Sequence, residues 1–111
     1  MKSFFDLRDK TAISLFYSTG ARISEIANSL TKDLDLDSAQ LKVRGKGGTD
    51  TILFLTSETV KLIRRYLYEK NIKCKTSGDF IFINKNGTHI SVRGMYNLIM
   101  KRAAAAGLSY K

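Results

Sequence analysis

The sequence predicts a mainly helical α+β domain, with helices arranged around a small antiparallel β-hairpin sheet. Three observations carry this expectation. Apolar residues recur at three- and four-residue spacings toward both ends of the chain. Around residues 40–55 the pattern switches to strand-like alternation with a glycine-rich middle. Turn-forming residues, glycine above all, fall at the junctions. The 111 residues suffice for one hydrophobic core but not two, and no proline, repeat or Gly/Ser linker marks a boundary, so a single domain over 1–111 is expected.

In residues 7–18, Leu7, Thr11, Ile13, Ser14, Leu15, Phe16 and Tyr17 combine helical spacing with a dense apolar end, which suits a largely buried helix. Gly20 stops it. Residues 22–30 put Ile23, Ile26, Ala27 and Leu30 on one face of a second, short helix. Residues 31–37 have no sustained apolar face and read as a loop or a single turn. Residues 40–44 alternate polar and apolar, residues 51–55 are β-branched and apolar, and residues 45–50 form a long glycine-rich tip between them. Ser57 is placed to cap a helix over 58–70, whose buried stripe is Val60, Leu62, Ile63, Tyr66 and Leu67. Lys61, Arg64, Arg65 and Lys70 fall largely off that stripe. After a polar loop, residues 80–83 read as a short strand and residues 84–87 as a turn with an Asn-Gly signal. Ser91 caps a last helix over 92–106, with Met95, Leu98 and Ile99 on its apolar side and Gly107 as its stop.

Composition narrows the function. With 43% hydrophobic and 26% charged residues the chain reads as globular rather than disordered. No apolar run approaches the roughly 20 residues that span a bilayer, and the amino terminus lacks a signal-peptide core, so a cytoplasmic protein with no membrane partner is expected. Cys74 is the single cysteine, which rules out an internal disulfide or a CxxC metal site. The 19 basic residues against 10 acidic ones give +9, a balance that favours a polyanionic partner because each cation that neutralises a phosphate releases condensed counterions. Charge alone does not choose between DNA, RNA and a membrane surface.

Most chemistry fails on residue inventory. No metal site is expected: His89 is the one histidine, and Asp33, Asp35 and Asp37 lack EF-hand spacing. His89 lies beside a turn and no serine occupies a nucleophile elbow, so His89 reads as a turn or strand-edge residue. The GKGG tip lacks the GxxxxGK[ST] spacing and is followed by a strand, so it is not a nucleotide-binding loop. Two cations remain. Arg22 stands at a helix start after Gly20, where it is either a solvated turn residue or a clamp on phosphate oxygens. Lys46 lies beside glycines at the hairpin tip, where the backbone can approach a groove closely. An arginine that steadies phosphate charge and a lysine that donates a proton make half of a phosphoryl-transfer site.

TGARISE, followed 24 residues after its arginine by the lysine of RGKGG, resembles the first half of the catalytic domain of the tyrosine site-specific recombinases, the phage-integrase or Xer-type family. LFYSTGARISEIANSLTKDLDL is similar to the family's arginine box and following acidic turn. FIFINKNGTHISVRGMYNLIMKRAAAAGL is similar to its later strand, turn and helix. The resemblance implies that Arg22 is the first active-site arginine, holding the scissile phosphate, and that Lys46 is the hairpin lysine, reaching into the DNA minor groove as general acid for the 5′ leaving oxygen. Glu25, one turn after Arg22, is then a candidate to orient that helix or a solvent-facing acid. Arg93, Lys101 and Arg102 are candidate DNA-backbone contacts alongside Arg22 and Lys46.

The family implies breakage and rejoining of double-stranded DNA through a 3′-phosphotyrosine, together with other recombinase protomers and without metal, nucleotide or other cofactor. Family members continue into a His-x-x-Arg box, a further His or Trp and a nucleophilic tyrosine, whereas this sequence stops at Lys111. None of Tyr17, Tyr66, Tyr68, Tyr96 and Tyr110 lies in the nucleophile's context. At the hairpin, Thr49 and Thr51 replace residues that are often basic. The expectation is the first part of a catalytic domain, without the amino-terminal core-binding domain, inactive alone. The alternatives are a non-enzymatic basic nucleic-acid-binding module and a self-association module.

Overall fold

The computed structural model describes residues 4–73 and 79–105, with Lys46 described by its backbone alone. In chain order these are α1 (Phe4–Thr19), α2 (Ile23–Ala27), β1 (Leu34–Asp35), β2 (Gln40–Arg44), β3 (Asp50–Phe54), α3 (Ser57–Lys73) and α4 (Val92–Ala105). Helices pack around one antiparallel sheet of order β1-β2-β3, the α+β arrangement the sequence predicts. Helix α1 lies against α3 and α4, while α2 packs on α4 and reaches β2. One core joins them: Leu15 from α1, Ile26 from α2, Leu41 from β2, Tyr66 from α3 and Ile99 from α4 are all fully buried. Each such side chain contributes about 1.5–3 kcal/mol of apolar burial.

Helix α1 starts three residues before the predicted boundary because Phe4 is buried against the Tyr66 ring, with centroids 5.4 Å apart. It ends where Gly20 turns left-handed, at φ +70°, and donates its N–H to the Phe16 carbonyl at 3.0 Å. Helix α2 is shorter than expected. Asn28 and Ser29 already close its end, and Ser29 Oγ donates to the Ile26 carbonyl at 2.7 Å.

The sheet has a third strand that periodicity did not reveal. Leu34 pairs with Leu41 and Asp35 with Gln40, and two residues are too few to show an alternation. The intervening turn is set by Asp35, whose Oδ1 accepts the Ser38 N–H at 3.1 Å. That backbone hydrogen bond holds the Asp35 carboxyl below its ordinary pKa. β3 runs from Asp50 to Phe54, one residue earlier than predicted, because Arg44 pairs with Asp50 in register.

Three local expectations need correction. Ser57 is the first residue of α3, not its cap; Thr56 Oγ1 accepts the Thr59 N–H at 3.1 Å. Lys70 is buried, 3% exposed, and its Nζ donates to the Phe80 carbonyl at 2.6 Å. Residues 80–83 form no strand: the pairings here are the isolated bridges Leu30 to Phe80 and Ile83 to His89. Side chains take three of their carbonyls, and the Phe82 carbonyl accepts the Ile90 N–H at 3.1 Å. Lys70 holds Phe80, Tyr66 Oη donates to Ile81 at 2.7 Å, and Arg8 Nη1 donates to Ile83 at 2.9 Å. The Ser91 cap on α4 is as predicted, since its Oγ accepts the Gly94 N–H at 2.9 Å. Cys74, Gly107 and Tyr110 lie outside the described residues.

Candidate functional site

Arg22 occupies the residue before α2 in an extended conformation, φ −73° and ψ 148°. Its N–H donates to Glu25 Oε1 at 2.9 Å, which is one half of a capping box. The other half is closed to arginine, which has no acceptor. The guanidinium is therefore not used for capping; it is exposed, with no hydrogen bond or ion pair among the described residues. Since α2 spans five residues rather than nine, the helix dipole contributes little to anion binding there, and the guanidinium itself must supply the attraction.

Lys46 opens the tight turn that joins β2 to β3. Gly45 donates its N–H to the Thr49 carbonyl at 2.7 Å, closing the base of the tip, and Gly47 and Gly48 take left-handed conformations at φ +79° and +80°. Gly45 is required by packing as well. A methyl group there would lie 2.9 Å from the Thr49 carbonyl oxygen and 3.8 Å from Glu25 Oε2. Glu25 thus accepts from Arg22 with one oxygen, while its other oxygen lies on the side of the chain where a Gly45 side chain would stand. The two predicted cations are 24 residues apart in sequence, and the segments that carry them pass near each other on either side of this carboxylate.

Helix α4 extends the surface. Met95, Leu98, Ile99 and Ala103 face the core, so Arg93, Asn97 and Lys101, at four-residue spacings, form an outward stripe of exposed residues. Val92, Arg93, Tyr96 and Asn97 line a shallow cavity of about 550 Å³ with Ile23, the residue after Arg22. The first turns of α2 and α4 thereby share one open groove lined by Arg93 and by Ile23, the residue next to Arg22. In the sequence Tyr96 stands only as a tyrosine outside the nucleophile's context and Asn97 carries no expectation, although their spacing to Arg93 on a predicted helix marks both.

Arg102 is placed differently. Its Nη2 lies 2.6 Å from Asp6 Oδ1 and 3.1 Å from Asp9 Oδ2, joining α4 to α1. The hydrogen bond to Asp6, followed by that to Asp9, raises its pKa above the ordinary arginine value. A phosphate would have to displace two carboxylates. Arg102→Ala is expected to cost about 1 kcal/mol of stability, given a side chain still about one third exposed, while leaving duplex DNA affinity within about twofold; thermal melts and a DNA titration check both.

The remaining sequence candidates disperse. Asp33 pairs with Arg44 at 3.5 Å and Asp37 with Arg64 at 3.3 Å, while Asp35 holds its own turn. Among the described residues no group of three His, Cys, Asp or Glu side chains could hold a metal. Tyr66 is buried and hydrogen-bonded, and Tyr17, Tyr68 and Tyr96 are exposed on three different helices. A larger open cleft, about 790 Å³, lies between α1 and the start of α3 beside Lys10 and Tyr17, but neither Arg22 nor the hairpin tip lines it. The smaller groove differs in being lined by Arg93 and by Ile23, the neighbour of Arg22. No helix among the described residues is long and apolar enough to cross a membrane.

Residues 2–111 match the profile of the phage integrase family. The chain belongs to the phage integrase family. The tyrosine recombinase XerC of Lactobacillus leichmannii is 33% identical over 106 residues, which make up 93% of this chain and 36% of that protein. Tyrosine recombinase XerC of Thermodesulfovibrio yellowstonii is 37% identical over 109 residues, again 94% of this chain and 36% of the relative. The chain thus spans about a third of the length of the curated relatives it matches. Among solved structures of this fold, XerH site-specific recombinase in a post-cleavage complex with palindromic difH substrate aligns with a TM-score of 0.83 at 22% identity, covering all of this chain and 32% of that one. XerA recombinase aligns with a TM-score of 0.73 at 24% identity over 94% of this chain and 43% of that one. Phage integrase family membership and fold therefore agree with the resemblance carried by TGARISE and RGKGG.

Proposed function

We propose that residues 1–111 are a single partial catalytic domain of a tyrosine recombinase, which binds double-stranded DNA and supplies Arg22 and Lys46 to strand breakage and rejoining. The observation that carries this reading is the proximity of the Arg22 helix start to the base of the Lys46 tip: Glu25 accepts the Arg22 N–H with one oxygen, and its other oxygen is 3.8 Å from where a Gly45 side chain would begin. In this reading Arg22 grips the scissile phosphate bidentately and lowers the charge that develops on its oxygens. Lys46 donates the proton to the 5′ leaving oxygen. Arg93 and Lys101 follow the backbone along α4, and Arg102 acts through the fold by holding α4 to α1. Other protomers and the remaining catalytic groups belong to the complete recombinase, and the chain alone is not expected to cleave DNA. A cytoplasmic setting, where the chromosome lies, fits this reading.

A titration of labelled duplex DNA at two salt concentrations tests it. Binding is expected at low salt and is expected to weaken steeply as salt rises, by a log–log slope of about −0.9 per phosphate neutralised. No binding at low salt would overturn it. One observation favours a second reading, self-association: Ile52 is 42% and Phe54 is 70% exposed on β3, an edge strand. A concentration-dependent mass in light scattering without DNA affinity would select that reading.

A further inference from the structure

His89, which the sequence leaves as a turn residue, is tied to the helix that Arg22 begins. Its Nε2 lies 2.9 Å from the Ala27 carbonyl oxygen, at the last residue of α2. A carbonyl can only accept, so Nε2 carries the proton in the neutral ring and in the imidazolium alike. The ring is also held flat against Phe80, with centroids 3.8 Å apart and planes 11° apart. Phe80 is in turn fixed by the Lys70 ammonium on its carbonyl and by its bridge to Leu30. The donor is therefore presented from a supported platform.

A helix of five residues has few intrahelical bonds and is not stable by itself. It is pinned at its start by Glu25 on the Arg22 N–H, and among the described residues the hydrogen bond that the Ala27 carbonyl accepts comes from His89. Ala27 and Ile26 are fully buried, so the end of α2 has no solvent to replace that donor. The helix is only about 7 Å long by its rise per residue, so a shift at Ala27 passes to Arg22 with little loss.

We propose that His89 is a positioning residue: it fixes the end of α2 and thereby aims Arg22 at phosphate, an inference that rests on the nucleic-acid reading above. Two variants separate its roles. His89→Phe keeps a flat ring on Phe80 and removes the donor, whereas His89→Gln supplies an N–H without the ring. In a double-mutant cycle with Arg22→Ala, H89F is expected to weaken duplex binding about fivefold when Arg22 is present and to add no further loss when it is absent. H89Q is expected to restore affinity to within about twofold of the unaltered chain. Equal losses in both backgrounds, which a purely structural role produces, would overturn the assignment.

Amide exchange gives a readout that needs no DNA. The Ile26 and Asn28 amides, which donate to the Arg22 and Ser24 carbonyls, are expected to exchange about tenfold faster in H89F and to stay near normal in H89Q. Unchanged exchange in H89F would also overturn the assignment. Should H89F not fold by circular dichroism, His89→Leu, which also removes the donor, is read in the same cycle with the same expected pattern. If the unaltered chain binds no duplex, the nucleic-acid reading fails, and the exchange rates still decide whether His89 holds α2.

Discussion

Tyr66→Ala is expected to leave the chain largely unfolded at room temperature. Tyr66 has no exposed surface and stacks between Phe4 and Phe82, with centroids 5.4 Å and 5.5 Å away. Truncating a buried aromatic to alanine costs about 3–5 kcal/mol. The loss of the Tyr66 hydroxyl also strips a donor from the Ile81 carbonyl, a further penalty of about 1–3 kcal/mol. A domain of this size has only about 5–15 kcal/mol of net stability, and toward the lower end of that range, expected for so short a chain, a sum of about 4–8 kcal/mol removes most or all of it. Tyr66→Phe keeps both stacking contacts and leaves only the carbonyl penalty, so it is expected to fold with a lowered melting temperature. Urea and thermal unfolding followed by circular dichroism check both. A Tyr66→Ala chain that melts within a few degrees of the unaltered one would show that Phe4, Tyr66 and Phe82 do not form the centre of the core.

The largest effect on binding is expected at Arg22. Its guanidinium is exposed and has no partner among the described residues, so replacement should leave folding nearly unchanged. Hydrogen bonds to charged groups contribute about 1.5–3 kcal/mol, which corresponds to a loss of roughly 10- to 100-fold in duplex affinity for Arg22→Ala. The log–log salt slope should fall in magnitude by about 0.9, the share of one phosphate contact. Arg22→Lys keeps the charge and hence the slope. It loses the planar fork that grips two oxygens at once, so its affinity should fall between those of the other two proteins. If Arg22→Ala binds as tightly as the unaltered chain with the same slope, Arg22 is a solvated turn residue, and the phosphate assignment fails.

The elements legible in the sequence were those whose signal is local and repeated. Helix α4 was recovered with its serine cap and its buried face, because a fourteen-residue helix repeats its stripe several times. The β2–β3 hairpin was legible because alternation and a glycine tip coincide. What escaped depended on contacts between distant residues. The two residues of β1 form a strand only because Gln40 and Leu41 lie beside them. Lys70 reads as a surface cation until the Phe80 carbonyl is brought to its ammonium. At the site, Arg22 and Lys46 stood out by motif, and Glu25 could be named but not placed. Its second oxygen lies beside Gly45 across a tertiary approach that no spacing encodes. Arg102 carries the opposite lesson: near a helix end it looks like a phosphate ligand, yet its two carboxylates come from residues more than 90 positions away.

The run Phe80-Ile81-Phe82-Ile83 would, in an opened chain, be among the segments most prone to intermolecular cross-β stacking, being apolar, uncharged and free of proline. In the folded protein the carbonyls of Phe80, Ile81 and Ile83 are occupied by an ammonium, a phenol and a guanidinium, that of Phe82 by the Ile90 N–H, and residues 81–83 are buried. Lys70, Tyr66 and Arg8 therefore act as gatekeepers supplied by tertiary structure rather than by flanking sequence. Their protection lasts only while the helices that carry them stay docked, so the solubility of this protein is tied to its folding equilibrium.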